Sequence, residues 1–417
     1  MTWSWWRFAG IVCLGAAATA SAWSQDHVIR TTPLMFHGQP NPDLPGWTIG
    51  APANATISPE GRIMFVASTN PMEGGPGLGA AFTLIDGVIS TVMQTGELIG
   101  QHPEIVCTNF LPPWRVFDDR SVMLLAVWSA GRALVTGQPG DLRIVAMSGS
   151  DSNPDPDYAH VVSIASPLRT ASGHMAFTGY QKVWATVPGT GEFAVLLEEG
   201  DAVPGYEDTT YVDCFAKGVL ADGRVIVGVE FEGSGLPIWE ETVAIGNPAT
   251  GEVVPLYGAG LPLPGVKGPG IRVAFAPIIT GDGIIAFNAV FVDDKPPGES
   301  LGIWIGPLDD PTLVMRIGQP APAMPGATFG GIYGSPILSP SGHAAIIAFA
   351  GGEGYPVTSS LFYWDGHQLL FRATRGTPID NRPGMTVQAI LSQAATLMIN
   401  SNDFLIFESM VYVSSNS

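Results

Sequence analysis

The strongest constraint on this chain is that it repeats itself. Seven copies of one unit start near residues 32, 91, 143, 194, 253, 313 and 369. Self-similarity at such a period marks a stacked array, because one small unit cannot bury its own apolar face alone. Each copy carries two marks. The first is an apolar strand that ends in glycine and runs into a Pro-Gly loop. It is clearest from Leu313 (LVMRIGQPAPAMPG), Val253 (VVPLYGAGLPLPG) and Ala194 (AVLLEEGDAVPG), and weaker from Thr32 and Leu369. The copies with Gly96 and Pro103, and with Gly149 and Pro156, have lost the Pro-Gly. The second mark is a short polar turn between apolar strands. It reads ISPEGRIMF from Ile57, VFDDRSVML from Val116, RTASGHMAF from Arg169, VLADGRVIV from Val219, ITGDGIIAF from Ile279, LSPSGHAAI from Leu338 and INSNDFLIF from Ile399.

These turns have hairpin chemistry. Asp222-Gly223 and Asp282-Gly283 supply the residue pair wanted where both central positions take positive φ. The strand after each turn, such as Ile284 to Phe291, carries small and β-branched or aromatic residues, as expected where both faces are covered. A third strand follows, then a turn such as Asp86-Gly87 or Asp365-Gly366, and then the next copy's opening strand. Four antiparallel strands per copy are the unit of a propeller blade. The expectation is therefore all-β: a seven-bladed β-propeller of four-stranded antiparallel blades, one domain over residues 23–417. The chain opens on a lone strand near Ile29 to Phe36 and finishes with three strands up to Val413. The N-terminal strand is expected to complete the last blade, closing the ring and removing an exposed edge. A β-solenoid or two smaller domains are the rival arrangements.

Composition agrees with that class and adds a destination. Only 13% of residues are charged, with 52 glycines, 36 prolines and 46% hydrophobic residues, which suits many short strands and turns. At the N-terminus, Arg7 precedes an apolar run from Phe8 to Ala20, and Ala20-Ser21-Ala22 offers a cleavage site. This pattern predicts a signal peptide over residues 1–22, too short for the ~20 residues of a membrane span. Cys13 follows Val12, not a small residue, so no lipid anchor is expected. The product is expected to be secreted or periplasmic, with no membrane span in the mature chain, and monomeric. The formal net charge is −19 and only Lys182, Lys217, Lys267 and Lys295 are lysines, a surface that repels phosphate backbones. Nucleic acid is excluded as a partner.

The best copies of the second mark read Thr280-x-x-Gly283-x-x-Ala286-Phe287, Thr170-x-x-Gly173-x-x-Ala176-Phe177 and Ser58-x-x-Gly61-x-x-Met64-Phe65. The last, Asn400-x-x-Asp403-x-x-Ile406-Phe407, keeps an Asn and loses the Gly. The mark resembles the NxxGxxAF-type tandem repeats of a poorly characterised family of secreted bacterial proteins. The resemblance covers essentially the whole chain after the leader. It implies a β-propeller-like repeat fold and export, and no established activity. Members often carry a C-terminal membrane or sorting segment, which this chain is expected to lack.

The ligand face is expected where the Pro-Gly loops and the loops between second and third strands gather, because function concentrates in loops on a rigid frame. His37, His102 and His160 fall on or beside the loops opening the first three repeats. With Tyr158, Glu104 and Asp213 they could move protons, and Arg272, Arg375 or Arg382 could hold a carboxylate. His102, His160, Tyr158 and Arg272 are the catalytic candidates. The others, with Trp114 and Trp239 as stacking residues, are ligand candidates; ordinary polar loop roles are the alternative. Asp151, Asn153, Asp155 and Asp157 alternate like the start of a calcium loop, but Pro156 stands where glycine is needed and Val162 at position twelve. That stretch reads first as a solvated turn, with Ca²⁺ the one cofactor considered. Cys107 and Cys214 occupy equivalent places in repeats two and four. They are either a disulfide, which export favours, or two buried thiols. Trp184, Trp304 and Trp364 recur in third strands as packing residues. No HExxH, GxSxG or Walker A sequence occurs. The functions this leaves are binding of a glycan, peptide or protein through the channel face, a polysaccharide lyase or hydrolase acting there, or a structural envelope scaffold.

Overall fold

Six consecutive four-strand antiparallel units account for most of the described chain. The computed structural model describes residues 38–374 except 59, 73–75, 100–103, 150–158, 162, 205–207, 234–241, 259, 267–269, 295–296, 340 and 353–354. It also describes the strand pieces Val12–Leu14, Thr31–Pro33, Met385–Ile390, Met398–Ile399, Leu405–Phe407 and Ser409–Val413.

Unit one is Trp47–Ile57, Ile63–Pro71, Leu78–Ile85 and Val88–Gln94. Unit two is Asn109–Val116, Val122–Trp128, Gly131–Gln138 and Asp141–Gly149, with Ala159–Val161 added in parallel at its outer edge. Unit three is Ala165–Arg169, Met175–Gly179, Lys182–Thr186 and Phe193–Glu198. Unit four is Thr209–Val219, Val225–Gly233, Thr242–Asn247 and Glu252–Tyr257. Unit five is Gly270–Ile279, Ile284–Asp294, Pro297–Pro307 and Thr312–Arg316. Unit six has a broken first strand, Ala327–Ile332 and Ile337–Leu338, then Ala344–Gly352, Tyr355–Trp364 and Leu369–Thr374. The first strands of successive units touch one another, which is the arrangement of a β-propeller.

The second mark explains both the turn and the core. In unit three, Thr170 N donates to His174 O (2.9 Å) and Gly173 N to Thr170 O (3.1 Å), while the Thr170 hydroxyl accepts from His174 N (3.1 Å). Ser58, Thr280 and Ser339 cap their turns the same way. The glycine in each of these turns lies at φ between +83° and +91°, a conformation other residues avoid. The seventh and eighth residues of the mark are neighbours in the second strand, so they point to opposite faces of the sheet. In unit five Ala286 packs towards unit six and Phe287 towards unit four, both fully buried. The core is therefore a series of apolar layers between blades, and the expectation of second strands covered on both faces is met.

Unit two breaks the rule at Arg120, which takes the glycine's place at φ 66°. A left-handed non-glycine residue costs roughly 1–2 kcal/mol, and glycine's greater freedom in the unfolded chain offsets roughly 0.5–1 kcal/mol of any relief. The Arg120–Asp86 pair at 3.5 Å is exposed on both sides and adds little. Arg120→Gly is expected to stabilise the protein by about 0.5–1 kcal/mol in a denaturant titration; a lower midpoint would refute the strain.

The seventh repeat departs from expectation: four-stranded blades number six among the described residues, not seven. The strands of that repeat divide. Met385–Ile390 pairs with Ser409–Val413. Met398–Ile399 pairs with Leu405–Phe407, then comes Val12–Leu14, then Thr31–Pro33, all antiparallel. Thr31–Pro33 holds the fourth place as expected, but the third is held by Val12–Leu14, while Ser409–Val413 pairs with Met385–Ile390 instead. Met398–Ile399 touches Ile337–Leu338 of unit six and Trp47–Ile57 of unit one.

Candidate functional site

The two faces of the propeller differ in how their loops are engaged. On the face of the polar turns, loops tie blade to blade. Glu60 N donates to Asp118 Oδ1 (3.1 Å) and Arg62 Nη1 to Phe117 O (3.4 Å) between units one and two. Arg169 Nη1 donates to Ser121 Oγ (2.6 Å), with its guanidinium 4.5 Å above the Phe117 ring. Ser172 Oγ donates to Ala221 O (3.2 Å) and Ala221 N to Gly281 O (3.0 Å), carrying the chain of contacts into unit five. An open groove of about 640 Å³ lies here between units four and five, lined by Leu220, Leu256, Leu308, Asp222, Asp282 and Asp309.

On the opposite face the described Pro-Gly loops, those that start at Gly38, Gly200, Gly260 and Gly318, each fold into a small hairpin on the strand that follows. Gly38 N donates to Ile49 O (2.8 Å) and Ile49 N to Gln39 O (2.7 Å). The same two bonds join Gly200 with Tyr211, Gly260 with Ile271 and Gly318 with Phe329. They also join Gly96 with Cys107 (2.7 Å), although this copy has no Pro-Gly. Its loop is held by a bridge between Leu98 and Val106. The glycine and the buried partner, not the Pro-Gly, carry the geometry.

These bonds align the first strands residue by residue and correct one expectation. Cys107 corresponds to Tyr211, not to Cys214. Two residues on, Asn109 Oδ1 accepts from Phe110 N and Asp213 Oδ1 from Cys214 N, both at 2.8 Å, so Phe110 is the counterpart of Cys214. Both cysteines are free and fully buried, in separate apolar layers; no disulfide joins them. Burial pushes both thiols up to about 12. At pH 8 only roughly one part in 10⁴ would be thiolate. In residues 23–417, which lack Cys13, an aromatic-disulfide thiol reagent is expected to find no reactive thiol in the native state and two after denaturation; fast labelling of the native state would contradict this burial.

The other candidates separate as follows. Trp114 is 3% exposed and packs in the layer between units one and two, so it is a core residue and not a ligand platform; the bulged strand before it turns the ring inward. Asp213 is half-buried and capped as above, and Glu104 is exposed in the loop between Leu98 and Val106. His160 lies in the added strand opposite Met147, and Arg272 in the first strand of unit five; their side chains lie outside the described residues. His37, His102, Tyr158, Trp239, Arg375, Arg382 and the candidate calcium stretch Asp151, Asn153, Asp155 and Asp157 lie outside them altogether. Trp184 and Trp304 stack on Phe177 (6.2 Å) and Phe287 (5.9 Å) as packing residues. Among the described residues no group of three or more His, Cys, Asp or Glu side chains could hold a metal ion, and no helix is long and apolar enough to cross a membrane.

One residue that the sequence reading passed over stands out. Arg115 lies in the first strand of unit two opposite Met123. Its Nε is sealed from solvent without a hydrogen-bond acceptor, and burial lowers its basicity.

Residues 124–415 match a family described as a family of unknown function, DUF7453. The chain belongs to that family. No curated protein matches this DUF7453 chain. Among solved structures it is similar to the β-propeller domain of the trilobed protease from Pyrococcus furiosus, with 9% identity, a TM-score of 0.39, and 77% of this chain and 97% of that one covered. An oligogalacturonate lyase in complex with manganese shows 10% identity and a TM-score of 0.36 over 84% and 86% of the two chains. The WD40 domain of SCAP from fission yeast shows 10% identity and a TM-score of 0.32 over 86% and 94%.

Proposed function

We propose that this chain is an exported seven-bladed propeller, closed on itself once its leader is removed, that binds a protein partner with its Pro-Gly face. The binding reading rests on where exposed apolar side chains fall. Met72, Leu98, Val106, Tyr180 and Val357 are 39–71% exposed. All five sit in or beside the loops that open a repeat or the connections between second and third strands. The other exposed large apolar side chains among the described residues are spread singly: Val88 at a turn on the opposite face, Val195 and Val254 on outer strands, and Tyr333 in the broken first strand of unit six. Exposed apolar groups gathered on one face, methionine and tyrosine among them and Leu98 paired with Val106, are the composition of a protein contact surface.

Two buried faces support the seventh blade. Phe65 and Phe82 lie on the side of unit one turned away from unit two, yet are 1% and 0% exposed. Ile347 and Leu361, on the side of unit six away from unit five, are 5% and 0% exposed. Water would reach both sides of an open six-bladed array. With the leader gone, the third place beside Leu405–Phe407 falls to Ser409–Val413, and Thr31–Pro33 completes the blade.

Cell fractionation tests export. A tagged chain is expected in the periplasm or medium with Trp23 as its first residue; cytoplasmic protein that keeps residues 1–22 would overturn that reading. For binding, an envelope extract is passed over immobilised wild-type protein, the Leu98→Asp/Val106→Asp variant and a Val254→Asp control on an outer strand. A protein retained by wild type and control but lost on the double variant is expected. Equal retention on all three overturns the assigned face, and selective retention of a glycan fraction instead favours the carbohydrate reading.

A further inference from the structure

We propose that Arg115 is a binding residue for an oxyanion, a carboxylate or sulfate borne by a small ligand that reaches the first-strand ring between units two and three. Counted back from the polar turn, the positions equivalent to Arg115 in the other five units are Thr56, Leu168, Gly218, Ile278 and Ile337. Four of these are apolar or lack a side chain, and none is charged. Met123, opposite Arg115, belongs to the apolar layer between units two and three, with Leu111 and Phe117 packed against it. A guanidinium thus replaces an aliphatic side chain in an apolar wedge.

A guanidinium cannot shed its charge as a buried lysine can. Burying it without a counter-charge is costly unless its donors are met. Arg115 forms no hydrogen bond or ion pair among the described residues, and its Nε is closed off. Burial is the one cause of its lowered basicity, with no carboxylate opposing it. Other arginines drawn into the blade contacts have partners: Arg62 and Arg169 an acidic one, and Arg132 the Ile164 carbonyl at 2.9 Å. The residue as a whole keeps partial exposure, which leaves a small solute a way in.

The backbone around Arg115 is shaped unlike regular strand. All six first strands lose register with their second strands at this depth, between Ala53 and Thr56, Leu111 and Arg115, Ala165 and Leu168, Ala216 and Gly218, Phe275 and Ile278, and in the gap between Ile332 and Ile337. Bulges re-aim side chains and gather beside binding sites. In unit two the bulge contains Pro112 and Pro113, which have no N–H to offer an anion, so the fork of Arg115 supplies the donors.

The test is a thermal-shift titration of residues 23–417 as wild type and as Arg115→Leu, with sodium sulfate and sodium citrate each set against sodium chloride at equal ionic strength. Wild type is expected to show a saturable rise in Tm with at least one oxyanion, and the arm that saturates identifies sulfate or carboxylate. Arg115→Leu is expected to melt higher than wild type without anion, because leucine is what unit three uses there, and to lose the saturable rise. It keeps only the linear stabilisation that excluded salts give any protein. The same saturable rise in both proteins, or none in either, overturns the proposal. Should Arg115→Leu fail to fold, Arg115→Lys keeps the charge without the fork and is expected to need several-fold more anion for half its rise; an unchanged titration then overturns it.

Discussion

Replacing Phe287 by alanine is expected to destabilise the protein by roughly 3–5 kcal/mol, the range for deleting a large buried aromatic side chain. Phe287 is fully buried between two flat rings, with centroids 4.7 Å from Tyr257 and 5.9 Å from Trp304. Tyr257 belongs to unit four and Trp304 to unit five, so the ring joins two blades. Its neighbours are fixed as well: Trp304 Nε1 donates to Pro264 O at 2.9 Å, and Tyr257 donates to Leu308 O. Neither can swing into the gap without giving up a buried hydrogen bond, so the site cannot collapse and the loss falls at the upper end of the range. Phe371→Ala, on the half-buried fourth strand of unit six, is the comparison and is expected to cost less than half as much. A Phe287→Ala loss under about 1 kcal/mol would show that the layer between units four and five does not carry the stability assigned to it.

The second large effect is expected at the seam. On the proposed closure of the ring, deleting 409–417 from residues 23–417 should remove the third strand of the last blade and leave Thr31–Pro33 without its neighbour. Phe65 and Phe82 of unit one then lose their cover. The expected loss is on the order of 4 kcal/mol, comparable with a large core truncation, together with a broader denaturant transition. The same deletion in the chain that keeps residues 1–22 should cost much less, because there Val12–Leu14 already holds the third place. Equal losses in the two backgrounds would mean that the leader and Ser409–Val413 do not compete for one position.

The sequence reading succeeded where one residue type does one physical job. The polar cap and glycine of each turn were legible because a left-handed backbone position leaves few choices, and the Ala-Phe pair because adjacent strand residues must face opposite ways. It failed where spacing hides a bulge. Counting along the chain put Cys107 and Cys214 in equivalent places, but the glycine bonds shift the frame so that Cys107 matches Tyr211. Trp114 read as a loop residue beside Pro112 and Pro113, and the bulge turned it into the core. Arg115 carried a signal that stacking the seven turns would have exposed, a charge in a column of small and aliphatic residues. Asp403 in the glycine position marked the seventh repeat as divergent, but Arg120 marks the intact second unit in the same way, and nothing in the pattern told that Val12–Leu14 would stand beside Leu405–Phe407.

The small hairpins on the Pro-Gly face have a consequence for how such a molecule can change over time. Each is fastened by two main-chain bonds from one buried residue, one to a glycine and one to the residue after it, and main-chain bonds do not depend on the side chains at the tip. The loop with Leu98 and Val106 demonstrates this: it shares almost no tip residues with the loop of Gly200, yet sits in the same socket. Tips can therefore be exchanged, lengthened or recharged one at a time while the blades beneath stay as they are. Relatives sharing this frame should diverge in what they recognise far sooner than in how they fold.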